Sequence, residues 1–148
     1  TSLSDRVNGF YEGLKETGMV CTGECILPKR TENLLSSAQD EQYLNAIDAF
    51  LKSFAQLPDA IVVTEYALAR LLSMQASKLG LVVGKSFKAC SIDEDYLSSN
   101  GYFYTHVHQD EDTIAKEVVS ILLRRMSGED VSAEPIYVPG IFRKGSTT

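Results

Sequence analysis

Cysteine is scarce, histidine scarcer, and positive charge falls short of negative; each shortage closes off a class of function. The three cysteines, Cys21, Cys25 and Cys90, form an odd set with no regular spacing, so a disulfide-stapled secreted scaffold is not expected. Cys21 and Cys25 stand four apart, but no second cysteine pair follows, and the two histidines, His106 and His108, lie far along the chain. A structural zinc site needs four closing ligands, so the expectation is reduced thiols and no metal. Lys and Arg number 14 against 20 Asp and Glu, a formal charge of −6. Binding to a nucleic-acid backbone relies on cations that displace counterions from phosphates, so this chain by itself is expected to be a poor nucleic-acid binder.

Long apolar runs are missing as well. No stretch approaches the ~20 apolar residues of a membrane span. The opening TSLSDRVNGF has none of the tripartite form of a signal peptide, so a cytoplasmic protein without a membrane partner is expected. Thr1 is not a start methionine, which fits a fragment of a longer protein. Glycine-rich phosphate loops are absent too: Gly80-Leu81-Val82-Val83-Gly84 lacks the Lys-Ser/Thr of a P-loop, and no GxGxxG occurs. The acidic run Asp93, Glu94, Asp95 has no EF-hand spacing and reads as a solvated loop. His106 and His108 share a face if extended, with Asp110 and Asp112 following, but no third ligand or nucleophile elbow accompanies them. No catalytic residue and no cofactor are therefore assigned, and an enzyme is not expected.

What the chain does have is ordinary globular substance: 148 residues, 44% hydrophobic and 23% charged, enough for one domain. Val7, Phe10, Tyr11 and Leu14 fall at helical spacing, with Ser4 as a plausible N-cap and Gly18 just past the end. Val20 to Leu27 reads as a strand closed by Pro28, and the polar segment Lys29 to Asp40 as a loop. A second helix places Tyr43, Ala46, Ile47, Phe50, Leu51 and Phe54 on one face. Pro58-Asp59 breaks the chain before the β-branched run Ala60 to Val63, a strand covered on both sides. A helix over Glu65–Leu79 follows, with Leu68, Leu71, Leu72 and Leu79 inward, then a strand over Ser86–Ile92 and a polar loop from Asp93 to Gly101. Tyr102 to His108 is extended, Asp110 to Met126 helical with Ile114, Val118, Ile121 and Leu122 in a stripe. Pro135–Val138 and Ile141-Phe142 are late extended pieces.

Alternating strand and helix imply right-handed βαβ units: an α/β fold, a three-layer parallel sheet with helices on both faces. In such sheets ligands gather at the carboxyl ends of the strands. The positions to watch are Thr64, Glu65 and Tyr66; Asp93 and Glu94; and His108, Gln109 and Asp110.

These residues also resemble a known family. The opening Ser4-Asp5-Arg6-Val7-Asn8-Gly9-Phe10 is similar to the Arg, two residues, Gly, aromatic pattern of lactose-repressor/galactose-repressor-type regulators. Leu57 to Val63 with Ala67-Leu68-Ala69 and Leu79-Gly80-Leu81 resembles that family's most recognisable stretch. Ile92-Asp93 sits where it has an aromatic-Asp-Asp loop, Thr105 to Gln109 resembles its crossover segment, and Arg143 to Thr147 its basic, Ser/Thr-containing end. The resemblance spans nearly the whole chain and implies the C-terminal half of a type I periplasmic-binding-protein-like effector domain, a partial domain. Residues 1–108 would form its C-terminal lobe, 109–138 a crossover helix and strand that belong with the other lobe, and 139–148 the tail.

What the resemblance implies for function is the sensing of a small sugar-like effector that controls DNA binding by a separate head, in a homodimer. Its alternative is a sugar-binding protein for transport or chemotaxis. Ligand contacts carry over to Arg6, Asp93 and Gln109. The family commonly has Asn-Asp after the strand that ends at Val63, where this chain has Glu65-Tyr66. Glu65 can accept from hydroxyls; Tyr66 can stack on a sugar face or pack in the core.

Overall fold

The computed structural model describes residues 3–27, 37–93 and 103–148. Its elements in chain order are α1 (Leu3–Thr17), α2 (Ser37–Lys52), β1 (Ala60–Val63), α3 (Tyr66–Lys78), β2 (Lys88–Ile92), β3 (Thr105–His108), α4 (Glu111–Met126) and β4 (Ile141–Arg143). The four strands form one sheet in the order β1-β2-β3-β4. The first three run parallel, with Val62 opposite Cys90 and Cys90 opposite Thr105. β4 departs from the all-parallel expectation and pairs antiparallel with β3, Val107 opposite Phe142. The chain leaves α4 and comes back alongside β3, so the last strand enters the sheet in the reverse sense.

α1 ends where its glycine allows. Gly18 takes φ +67°, Met19 N–H donates to the Leu14 carbonyl, and Gly18 N–H to that of Lys15. This pair of bonds satisfies carbonyls that the helix end leaves open, and only a residue without Cβ adopts that turn without cost. The same pair of bonds closes α3 and α4.

The core lies on one face of the sheet. Ile47 and Leu51 of α2, Ala69, Leu72 and Ala76 of α3, Phe87 before β2, Ala89 within it and Tyr104 before β3 are all buried together. The stripe of α3 at Ala69, Leu72 and Ala76 has helical spacing, and its alanines let the helix approach closely; Leu68, Leu71 and Leu79 are only half-buried beside it. Between α2 and α3 the buried Gln75 donates to Asp48 at 2.7 Å, while Lys52 pairs with the same carboxylate at 2.8 Å. That contact holds Asp48 below the usual carboxylate range, first through the Lys52 hydrogen bond.

The opposite face is covered differently. Val62, Cys90, Ile92 and Val107 look onto a cavity of about 770 Å³ whose other walls come from α1, α4 and residues 132–140. Neither α1 nor α4 contributes a buried residue. Helices therefore flank both faces, but only one face is closely packed.

The tail crosses under the amino ends of β2 and β3. Thr147 is fully buried; its carbonyl accepts from Ala89 N–H, its hydroxyl donates to the Ala89 carbonyl and accepts from Thr105 N–H. Ser146 N–H donates to Phe103.

Three local expectations fail. Val20 to Leu27 forms no strand: Val20 and Ile26 are 80% and 86% exposed, and no described segment offers this stretch a ladder. Apolar β-formers make a strand only when a neighbour accepts their backbone bonds, and here a second cavity of about 870 Å³ separates the segment from β1. The Lys29–Asp40 loop is cut short, since residues 37–40 already belong to α2; Ala and Gln favour helix, and Asp40 suits its first turn. Residues 28–36 and 94–102, including the rest of the expected Asp93–Gly101 loop, lie outside the described residues. Pro135–Val138 is irregular rather than extended into the sheet.

Candidate functional site

Three strands end at one rim, and each hands over a polar group. β1 runs into Thr64, β2 into Asp93, β3 into Gln109. Arg6, in the first turns of α1, reaches across to join them. Its Nη1 donates to the Thr64 carbonyl at 2.7 Å and its Nη2 pairs with Asp93 Oδ2 at 2.7 Å. Gln109 Nε2 donates to the other carboxylate oxygen, Asp93 Oδ1, at 2.6 Å. The Arg6 side chain is 12% exposed and that of Asp93 33%, so the pair is partly withdrawn from solvent but still reachable. Arg6, Asp93 and Gln109, three residues from distant parts of the sequence, thus form one linked cluster.

Asp93 is held in an unusual backbone state. Its φ of +69° is the sole positive value at a non-glycine residue among those described. Aspartate visits this region more readily than most residues, yet the state persists only where surroundings enforce it. Here Asp93 N–H donates to the Val107 carbonyl, Ser91 Oγ donates to the Asp93 carbonyl, and the side chain is held from both sides. Such conformations cluster at ligand clamps.

Glu65 and Tyr66 behave differently from the other three. Glu65 is exposed at the start of α3 and its side chain makes no capping bond. Tyr66 packs edge-on against Tyr104, ring centroids 6.3 Å apart, at the margin of the core. Neither contributes to the wall of the cavity that Arg6 and Gln109 line. Tyr104 is itself tied down, its hydroxyl donating to the Ala69 carbonyl and bonding Ser73, and burial raises its pKa above the ordinary phenol value.

The histidines do not make a site together. His106 is buried, and its Nδ1, carrying the proton, donates to the Tyr104 carbonyl at 2.9 Å. His108 is half-buried at the strand end, near Asp110. Among the described residues no three His, Cys, Asp or Glu side chains come together to hold a metal ion. Cys90 lines the cavity and Cys25 bonds the Ala46 carbonyl through sulfur; burial raises both thiols above their ordinary pKa, which disfavours the reactive thiolate. No described helix is long and apolar enough to cross a membrane.

Sequence reasoning missed the Thr64 carbonyl as the fourth member of the cluster, because a backbone acceptor carries no side-chain signature. It also missed the apolar wall of Val62, Cys90, Ile92 and Val107, which the alternation of side chains along three aligned strands places on one face.

Comparisons with known proteins match the fold. The chain has the fold of a putative transcriptional regulator of the lactose-repressor type from Bacillus cereus subsp. cytotoxis NVH 391-98, with 24% identity and a TM-score of 0.72 over 98% of this chain and 49% of that one. A LacI-family transcriptional regulator from Enterococcus faecium, solved with bound ribose, shares it at 17% identity and TM-score 0.70, over 99% and 51% of the two chains. The lac repressor dimer bound to operator matches at TM-score 0.70 and 21% identity over 97% of this chain and 46% of its own. The chain thus spans about half the length of these relatives. No curated protein matches it. The family model of the periplasmic binding protein-like domain covers residues 2–147, and the chain belongs to that family.

Proposed function

We propose that this chain is the sensing half of a transcription regulator's effector domain, binding a small sugar-like molecule at the rim where Arg6, Asp93 and Gln109 meet. The observation that carries this reading is the cluster itself: a half-buried guanidinium, a carboxylate in a strained backbone state and an amide, joined at the carboxyl ends of three parallel strands. Guanidinium and carboxylate together offer a hydroxyl both a donor fork and an acceptor, as sugar recognition requires. Glu65, exposed beside Thr64, supplies a further acceptor at the same edge, and Tyr66 an aromatic flank behind it.

Residues 1–108 then act as one lobe, while α4 and the segment to 138 dock against a second lobe carried elsewhere in the protein. Ligand binding favours the closed arrangement, and the DNA is touched by a separate head. A ligand shifts that equilibrium only by its difference in affinity for the two states. The regulator works as a cytoplasmic homodimer, in keeping with the dimeric state named for one relative, the lac repressor.

A thermal-shift screen of the 148-residue chain with pentoses and hexoses tests the reading. A sugar at about 100 times its dissociation constant adds roughly 2.7 kcal/mol of stability. Arg6→Ala is expected to abolish that shift, at a cost of about 1–3 kcal/mol to the unliganded fold from the lost charged hydrogen bonds. A chain whose Tm no sugar moves would overturn it.

A further inference from the structure

We infer that the outer edge of β1 is a strand-addition site, where one extended apolar peptide segment from outside these 148 residues lies parallel to β1. β1 is the end strand of the sheet, and its one partner among the described strands is β2. Lys88 N–H donates to the Asp59 carbonyl, which sets the alternation of the parallel ladder. Ile61 and Val63 turn their backbone groups toward β2, so Ala60 and Val62 turn theirs out of the sheet. No described backbone group bonds them there.

Burial shows the same gap. Ala89 and Ser91 of β2 are buried, while their register partners Ile61 and Val63, on the same face, are only half-buried. The cavity of about 870 Å³ runs along this edge, and every residue of β1 borders it. α1 walls it on one face with Phe10 and Leu14, α2 and α3 on the other with Ile47, Leu68 and Leu72. Val20–Leu27 closes the far side. A strand in a layered sheet fills about 160 Å³ per residue, from a rise of about 3.3 Å, a strand spacing of about 4.8 Å and a layer spacing of about 10 Å. The cavity therefore holds one strand of about five residues, a match in length for β1.

The walls fix the chemistry of the occupant. A strand covered on both faces is an uninterrupted apolar run parallel to its neighbour, and a charged side chain in it would be buried without a partner. Main-chain bonds to an exposed sheet edge supply affinity, and the apolar walls supply selectivity. The sheet edge of a second folded copy does not fit, because Val20–Leu27 stands where the rest of that sheet would lie. An added strand also offers Val20–Leu27 the backbone ladder it lacks, and its apolar β-formers then have a neighbour to pair with.

The test is fluorescence anisotropy of a labelled synthetic peptide, about five consecutive valines and isoleucines between flanking lysines, titrated with the 148-residue chain. The control peptide carries a proline at its centre. The chain should bind the first peptide in the micromolar range and the control at least about tenfold more weakly. Amide hydrogen exchange at residues 60–63 and 20–27 should slow at least about tenfold on binding. Val62→Pro deletes an outward N–H where an edge strand tolerates proline, so it should weaken binding about tenfold or more with a native circular dichroism spectrum.

A native chain that binds neither peptide overturns the inference, and so does equal binding of the two, which marks a merely apolar surface. Undiminished binding to a folded Val62→Pro chain does the same. Slow exchange at residues 60–63 before any peptide is added means that Val20–Leu27 has closed the edge itself, and a dimer whose dissociation frees those amides puts a second copy there; either result overturns the assignment. Should Val62→Pro unfold, the contrast between the two peptides and the exchange pattern decide.

Discussion

At Gly145 a hydrogen stands where any other residue would place a carbon inside the backbone of its neighbour. A Cβ there would run into the Tyr104 carbonyl carbon and the Phe103 carbonyl oxygen. The clash is with main chain, which cannot rotate aside. Gly145→Ala is therefore expected to lift the tail and break the bonds that Ser146 and Thr147 make to Phe103, Ala89 and Thr105. Overpacking of this kind costs about 1–3 kcal/mol or more, read as a lower midpoint in urea. At the same scale, the polar side chains that cluster at the rim were named from the sequence. The strand-end rule named Asp93 and Gln109, and the resemblance added Arg6. What could not be read was how these side chains pair: their ion pair and amide bridge depend on a helix laid across three strand ends, and no local spacing encodes that. Tyr66 left two readings open because an aromatic after a strand serves a core as well as a ligand; its contact with Tyr104 puts it at the core margin.

Elements obey their caps more faithfully than their composition. Asp110 precedes α4 and accepts from Thr113 N–H at 3.1 Å and from the Thr113 hydroxyl at 2.7 Å. Those bonds, the side-chain one foremost, hold its carboxyl below the ordinary carboxylate range. A depressed carboxyl stabilises the fold above its ordinary pKa near ~4 and loses that contribution as the pH falls through the depressed value. Asp48 carries the same sign through Lys52 and Gln75. Thermal melts across the acid range should show Tm falling below about pH 4. Asp110→Asn, which still caps, should lessen that fall while leaving neutral-pH stability nearly unchanged. A melt profile identical to wild type in the acid range would contradict this. Composition alone misled at Val20 to Leu27, where β-branched and apolar residues suggest a strand; its partner edge, β1, lies across a cavity. The end of β1 and the start of α3 were readable because Pro58, the β-branched run and the helical stripe all agree. The antiparallel β4 was not, since direction is decided by the path of the chain after α4 rather than by the residues of the strand.

For the molecule as a whole, the two faces of the sheet differ in kind. One holds every member of the buried core, and Leu72 at 3% exposure is central to it. The other looks toward α4, whose Val118, Leu122, Leu123 and Met126 are between 56% and 75% exposed. That asymmetry yields opposite expectations for equally apolar leucines. Leu72→Ala should cost about 2–5 kcal/mol, the usual toll of a cavity in a closed core. The pair Leu122→Glu and Leu123→Lys should change the urea midpoint little, within about 0.5 kcal/mol, because neither side chain is buried against the rest. The same pair should reduce the binding of an apolar dye to the chain, since it removes part of an exposed apolar surface of the kind that marks an interaction site. If the α4 pair instead destabilised the chain as much as Leu72→Ala, that helix would be part of the core, and a face waiting for a second lobe would have no place in this molecule.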